Sequence, residues 1–117
     1  MIYNTFNIVV VPFPFTDQLN TKNRPALILS NHNEFSKQSG HSVFAMITSA
    51  RNTTWPLDVA ITDLSKAGLS KDSVVRMKFF TLDNRLIRSC IGTLSPKDKE
   101  QVMHAVMSIF KDLFVTN

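Results

Sequence analysis

IGTLSPKDKEQVMHAVMSIF, residues Ile91 to Phe110, changes its periodicity midway. Its opening closes the short apolar run IRSCIGTL, which reads as a strand. Ser95–Pro96–Lys97–Asp98 then starts a helix. A serine oxygen can take a free backbone N–H at the N-cap, and proline in the first turn sacrifices no hydrogen bond. The aspartate faces the positive end of the helix dipole. Apolar residues follow at Val102, Met103, Val106, Met107, Ile109, Phe110, Leu113 and Phe114, one broad helical stripe. This predicts a single packed helix at the C-terminal end.

Everything upstream reads as strands and turns. In SVVRMKFFTL, residues 73–82, Val75, Met77 and Phe79 fall on one face and Arg76 and Lys78 on the other. WPLDVAI reads as a short strand and SKAGLSKDS as a turn. HSVFAMITSA reads as a strand ending at Thr48–Ser49, between polar loops spanning Asn31–Ser42 and Arg51–Pro56. FNIVVVPFPF, residues 6–15, is an apolar strand whose Pro12 and Pro14 cannot donate to a ladder, which puts its end at a sheet edge or bend. After the loop Thr16–Asn23, Pro25–Ser30 is a further strand. Five or six short strands and one helix predict a mainly β fold, a small, strongly bent antiparallel barrel capped by the helix.

The chain has 117 residues, enough for one core without staples, and no linker or repeat divides it, so it is expected to be a single domain over 1–117. Its one cysteine, Cys90, excludes an internal disulfide and fits a reducing, cytoplasmic setting. Cys90 sits within an apolar run and is expected to be buried. No basic leader and no window of roughly 18 apolar residues is present, so no membrane association is expected. A net charge of +4 is compatible with nucleic acid or an acidic protein partner.

The spacing of His32, His41 and His104 makes no metal-ligand set, and no phosphate-binding glycine loop or serine-hydrolase elbow is present. One constellation remains. Arg24 precedes Pro25, which biases it to extended geometry at a loop-to-strand junction. Thr48 and Ser49 also fall at a strand end. Lys22, Arg51, Arg76, Lys78, Arg85 and Arg88 add positive charge. An arginine fork and a hydroxyl suit a phosphate; on spacing alone the better reading is a pair of unrelated rim residues.

The motifs IVVVPFPFTD and RPALILS, then MITSA, GLSKDSVVRMKFFTLD and IGTLSPKDKEQVMHAVMSIF, stand in the order and spacing of one family. Over about residues 6–110 the chain resembles the MazF/PemK-type toxins of bacterial type II toxin–antitoxin systems. The resemblance implies an SH3-like antiparallel barrel with a C-terminal helix and a homodimer. It implies an endoribonuclease that cleaves single-stranded RNA at specific sequences without metal or other cofactor, and an antitoxin that restrains it. The arginine of the family's RPA motif falls on Arg24 and the threonine of its ITS motif on Thr48, with Ser49 beside it. Both are then expected to be catalytic. Because arginine stays protonated at neutral pH, electrostatic stabilisation is the first role expected of Arg24. Lys22, Ser49, Arg51, Arg76 and Lys78 would track the RNA backbone, and Phe13, Phe15 or Trp55 would stack its bases. Many relatives begin the first strand with Gly–Asp where this chain has Phe6–Asn7. Two rival expectations follow from the same fold: a CcdB-like toxin that binds DNA gyrase and cleaves nothing, or an inactive relative keeping only its dimer and antitoxin contacts.

Overall fold

The computed structural model describes residues 2–13 and 22–115; Pro14, Phe15 and most of the first polar loop lie outside them. Six strands form one antiparallel sheet: β1 (Asn7–Pro12), β2 (Asn23–Ile28), β3 (His41–Ser49), β4 (Val59–Ala60), β5 (Ser73–Asp83) and β6 (Ser89–Thr93). Their spatial order is β4-β5-β3-β2-β1-β6. Register irregularities between Ile8 and Val9 and between Ala45 and Met46 add local twist, and the sheet curls into a half-barrel. Helical pieces are short, α1 (Lys37–Ser39) and α2 (Leu64–Ala67), until the C-terminal α3 (Pro96–Ile109).

Strand alternation sends side chains to two apolar layers. On the concave side Ile8, Leu27, Ala45, Ile47 and Val75 meet Ala67, Leu94, Val102 and Ala105. On the other side Val9, Val11, Ala26, Ile28, Phe44 and Phe80 pack with Ile87. The helices lie near the open edges, α2 against β6 and α3 against β4. At the first contact two glycines permit backbone-to-backbone approach: a Cβ on Gly92 would come 2.4 Å from the Ala67 carbonyl carbon, and one on Gly68 would collide with the Ile91 carbonyl oxygen.

The predicted helix start is as expected: the Ser95 side chain accepts from Asp98 N at 3.2 Å. The stripe is only partly packed. Val102 and Ala105 are buried, whereas Met103, Met107, Ile109, Phe110, Leu113 and Phe114 remain exposed. One residue per turn suffices to meet the sheet, so an apolar stripe this wide extends beyond the contact.

Five other expectations are corrected. Cys90 is exposed, because β6 is an edge strand with β1 on one side only. The loop after β2 contains a π-turn (His32–Ser36) running into α1, the turn read in SKAGLSKDS contains α2, and WPLDVAI forms a strand only at Val59–Ala60. Pro25 does not start β2 but lies inside it, opposite Val10. The β2–β3 ladder begins only at Ala26, so at Pro25 the strand has one partner and tolerates the missing donor.

Phe6 takes φ 74°, a left-handed conformation that glycine adopts without penalty and a bulky residue rarely does. Phe6 is held there by core packing and by three backbone ties, with its N–H on the Ile28 carbonyl and its carbonyl accepting from Leu94 N and Thr93 Oγ1. Asn7 Oδ1 accepts from Asn4 N, as an aspartate could.

Candidate active site

The β2–β3 register runs Ile28 to Phe44, Leu27 to Ala45 and Ala26 to Met46. Continued by two residues it sets Arg24 opposite Thr48, on the face shared by Ala26 and Met46. The same line extends to Val11 on β1 and Val74 on β5. The paired ladder itself stops at Ala26–Met46, so Arg24 and Thr48 stand at neighbouring strand ends just beyond it, although 23 residues separate them in sequence.

Both residues line one cleft of about 310 Å³ at the strand ends. Its apolar floor, Ile47, Leu69 and Ile91, belongs to the concave layer, the face opposite that of Ala26 and Met46, so the strand ends at Arg24 and Thr48 border it from the edge of the sheet; Ser49, Lys71 and Ser73 add polar groups. An adjoining depression shares Ser49, Ser70 and Lys71 and is flanked by Arg51 and Asp72. The combined rim carries three cations, Arg24, Arg51 and Lys71, against one carboxylate, Asp72, so an anionic ligand is favoured.

Arg24 is exposed, with its guanidinium carbon 5.5 Å from the centre of the Phe13 ring. Phe13 is buried and packs edge-on against Phe80. It is therefore a shelf beneath the arginine, not a platform for a base. No carboxylate among the described residues forms an ion pair with Arg24. Thr48 is buried, and its Oγ1 accepts from Asn52 Nδ2 at 2.5 Å.

The cleft gathers Arg24, Thr48 and Ser49, with Arg51 next door. Lys22, Trp55, Arg76 and Lys78 line neither depression. Lys22 is exposed two residues before Arg24, and its carbonyl accepts from Phe13 N. Arg76 departs most from expectation. Instead of lying on an open polar face it is buried, pairing with Asp58 at 3.0 Å and donating to the Thr53 carbonyl. Its charge is committed to holding the loop between β3 and β4. Trp55 on that loop is 42% exposed, with Arg76 and Lys78 each 5.8 Å from its ring. Asn52, Lys71, Ser73 and Asp58 were not singled out from the sequence. Only Asn52 had a local signal, the Ser49-to-Asn52 spacing of a side-chain-supported turn.

Among the described residues no group of three or more His, Cys, Asp or Glu is placed to hold a metal ion, and no helix is long and apolar enough to cross a membrane. His32 is half-buried, His41 is exposed, and His104 pairs with Glu100 on the polar flank of α3.

The curled sheet and its helix recur in solved toxin structures. The toxin of a MazE–MazF complex from Deinococcus radiodurans superposes with a TM-score of 0.74 at 21% identity, covering 95% of this chain and 98% of that one. An endoribonuclease in complex with its cognate antitoxin from a mycobacterial species gives 0.72 at 18% identity, over 94% and 96%. The toxin MazF-mt6 of Mycobacterium tuberculosis gives 0.69 at 21%, over 90% and 96%. No curated protein matches the sequence. The model of the PemK-like, MazF-like toxins of type II toxin–antitoxin systems matches residues 4–110, and the chain belongs to that family.

Proposed function

We propose that this protein is an endoribonuclease toxin that cleaves single-stranded RNA at the Arg24–Thr48 cleft. The observation that carries the reading is that Arg24 and Thr48 line one cleft whose rim, with the adjoining depression, holds three cations against one carboxylate. Family membership supports it.

In this reading the guanidinium grips the scissile phosphate. The RNA 2′-oxygen loses its proton and bonds to phosphorus, the bond from phosphorus to the 5′-oxygen breaks, and that oxygen gains a proton. The products are a 2′,3′-cyclic phosphate and a 5′-hydroxyl; no water is consumed and no metal takes part. Negative charge grows on the non-bridging oxygens along the way. Arg24 and the Thr48 hydroxyl stabilise it more strongly there than in the ground state. Lys22, Ser49 and Arg51 extend the positive track. Lys78 and Trp55 lie on a neighbouring surface where a flanking base can stack, and Arg76 sets the position of that surface. Purified protein is expected to cut single-stranded RNA into discrete fragments with a metal chelator present; a requirement for added magnesium would contradict the mechanism. Trp55 is the sole tryptophan, so RNA binding is expected to quench the intrinsic fluorescence, and an unchanged signal at saturation would remove Trp55 from the interface.

The partners follow from the same reading. Structural neighbours include toxins bound to antitoxins, and an acidic antitoxin segment would compete with RNA for the basic rim. The apolar face left exposed on α3 by Met103, Met107 and Phe110 suits a second copy of the chain. Sedimentation at micromolar concentration is expected to give a homodimer; a monomer would contradict this.

A further inference from the structure

A threonine hydroxyl has one proton and two lone pairs. In Thr48 one lone pair is occupied by the Asn52 amide, which donates from Nδ2 at 2.5 Å. The Thr48 proton is thereby left uncommitted, and among the described residues Oγ1 has no second partner. Asn52 is itself fixed. Its backbone N–H donates to the Ser49 carbonyl at 3.1 Å, and Arg51 N donates to Ser49 Oγ at 3.2 Å, closing a tight turn directly after β3. Beyond the turn the buried Arg76 holds both the Thr53 carbonyl and Asp58. The amide that meets Thr48 is therefore anchored from both sides.

We propose that Asn52 is a positioning residue that sets the direction of the Thr48 O–H, so that its proton points at the phosphate oxygen gripped by Arg24. Resting on the ribonuclease reading above, it adds a polarity to the site: amide to hydroxyl to phosphate. A donor at position 52 makes Thr48 a donor to the substrate. An acceptor there would draw the Thr48 proton back into the loop and present a lone pair to an anion.

The test compares the full-length parent, Asn52→Asp, Asn52→Ala, Thr48→Val and the Thr48→Val/Asn52→Asp double variant. The substrate is a single-stranded RNA oligonucleotide carrying one mapped cleavage site. Asn52→Asp is expected to lower kcat by about 100-fold near neutral pH, close to the loss of one transition-state donor. Its rate should stay nearly level from pH 8 to 7 and rise by about tenfold in all by pH 5, as the protonated fraction of a carboxyl with an ordinary pKa near 3.9 comes to outweigh the residual activity. The parent should lack that slope. Asn52→Ala, which leaves the hydroxyl free to rotate, should lose less than Asn52→Asp and keep the parent's pH profile. Position 52 is exposed, and unchanged thermal melts will show that the variants fold. In the Thr48→Val background Asn52→Asp should cause no further loss in kcat, since there is no hydroxyl to turn. An equal loss in both backgrounds would mean simple repulsion between the carboxylate and the phosphate and would overturn the proposal, as would a flat pH profile for Asn52→Asp. Full activity in Thr48→Val would remove Thr48 from catalysis and the proposal with it. A parent that cuts no RNA would instead bring down the ribonuclease reading itself.

Discussion

Arg24→Ala is expected to slow RNA cleavage by about 100- to 1,000-fold, the usual cost of removing one preorganised donor from a developing anion. The size of the effect follows from the surroundings. Phe13 supports the guanidinium from below, no carboxylate among the described residues competes for it, and Arg24 lines the cleft. Arg24→Lys is expected to be nearly as damaging. An ammonium restores the charge but presents no planar fork, and it sits less favourably over an aromatic face than arginine. Steady-state kinetics on a single-site oligonucleotide separate the cases, because a loss confined to KM would mean that Arg24 only helps to bind RNA. Full activity in the lysine variant would mean that charge alone matters. The residue is exposed at a strand end, so neither substitution should shift the melting temperature appreciably.

The largest effect on stability is expected far from the cleft. Asp98, in the first turn of α3, is 1% exposed, yet both of its carboxylate oxygens are hydrogen-bonded. Its carboxylate takes hydrogen bonds from Thr62 N at 2.9 Å, Thr62 Oγ1 at 2.7 Å and Asp63 N at 3.2 Å, tying the helix start to the turn between β4 and α2. Burial by itself would raise its pKa; the bonds from Thr62, Asp63 and Ser95 outweigh burial and hold it below the ordinary carboxylate value. Asp98→Ala strands two backbone donors at about 1–3 kcal/mol each and removes a charge that favours the helix dipole. A total loss of about 3–5 kcal/mol is expected, visible as a drop of about 10–20 °C in Tm. The lowered pKa also fixes the sign of the pH dependence. The stabilisation is complete above the unfolded value near 3.9 and is lost as pH falls through the folded one. Asp98→Asn should therefore be less stable than the parent at pH 7, and the gap should narrow below about pH 4. A gap that stays constant down to pH 2 would show that the carboxylate charge is not what matters.

Strands and helix were legible because their periods are local. The alternation in β5, the proline-marked end of β1 and the cap at Ser95 are each contained within ten residues. The site was half legible. Arg24 and Thr48 stand out as polar residues at strand ends, but their opposition depends on the β2–β3 register. That register is set by which apolar residues face each layer, a property of the whole sheet. Arg76 was misplaced because strand alternation cannot foresee Asp58 folding over it from 18 positions earlier. Cys90 was misplaced because apolar neighbours in sequence do not reveal which strand lies at an edge. The width of the apolar stripe on α3 was visible, but not how much of it the sheet would cover.

In the proposed function one fixed positive charge and one hydroxyl act on a common RNA backbone linkage. The most direct test is sequencing of the cut ends after incubating a mixed RNA pool, in chelator, with the parent protein and with Arg24→Ala. Breaks confined to a short recurrent motif, each leaving a 2′,3′-cyclic phosphate and a 5′-hydroxyl and all but vanishing in the variant, are the predicted result. Intact RNA with the parent, or the same breaks at the same rate in the variant, would contradict the account.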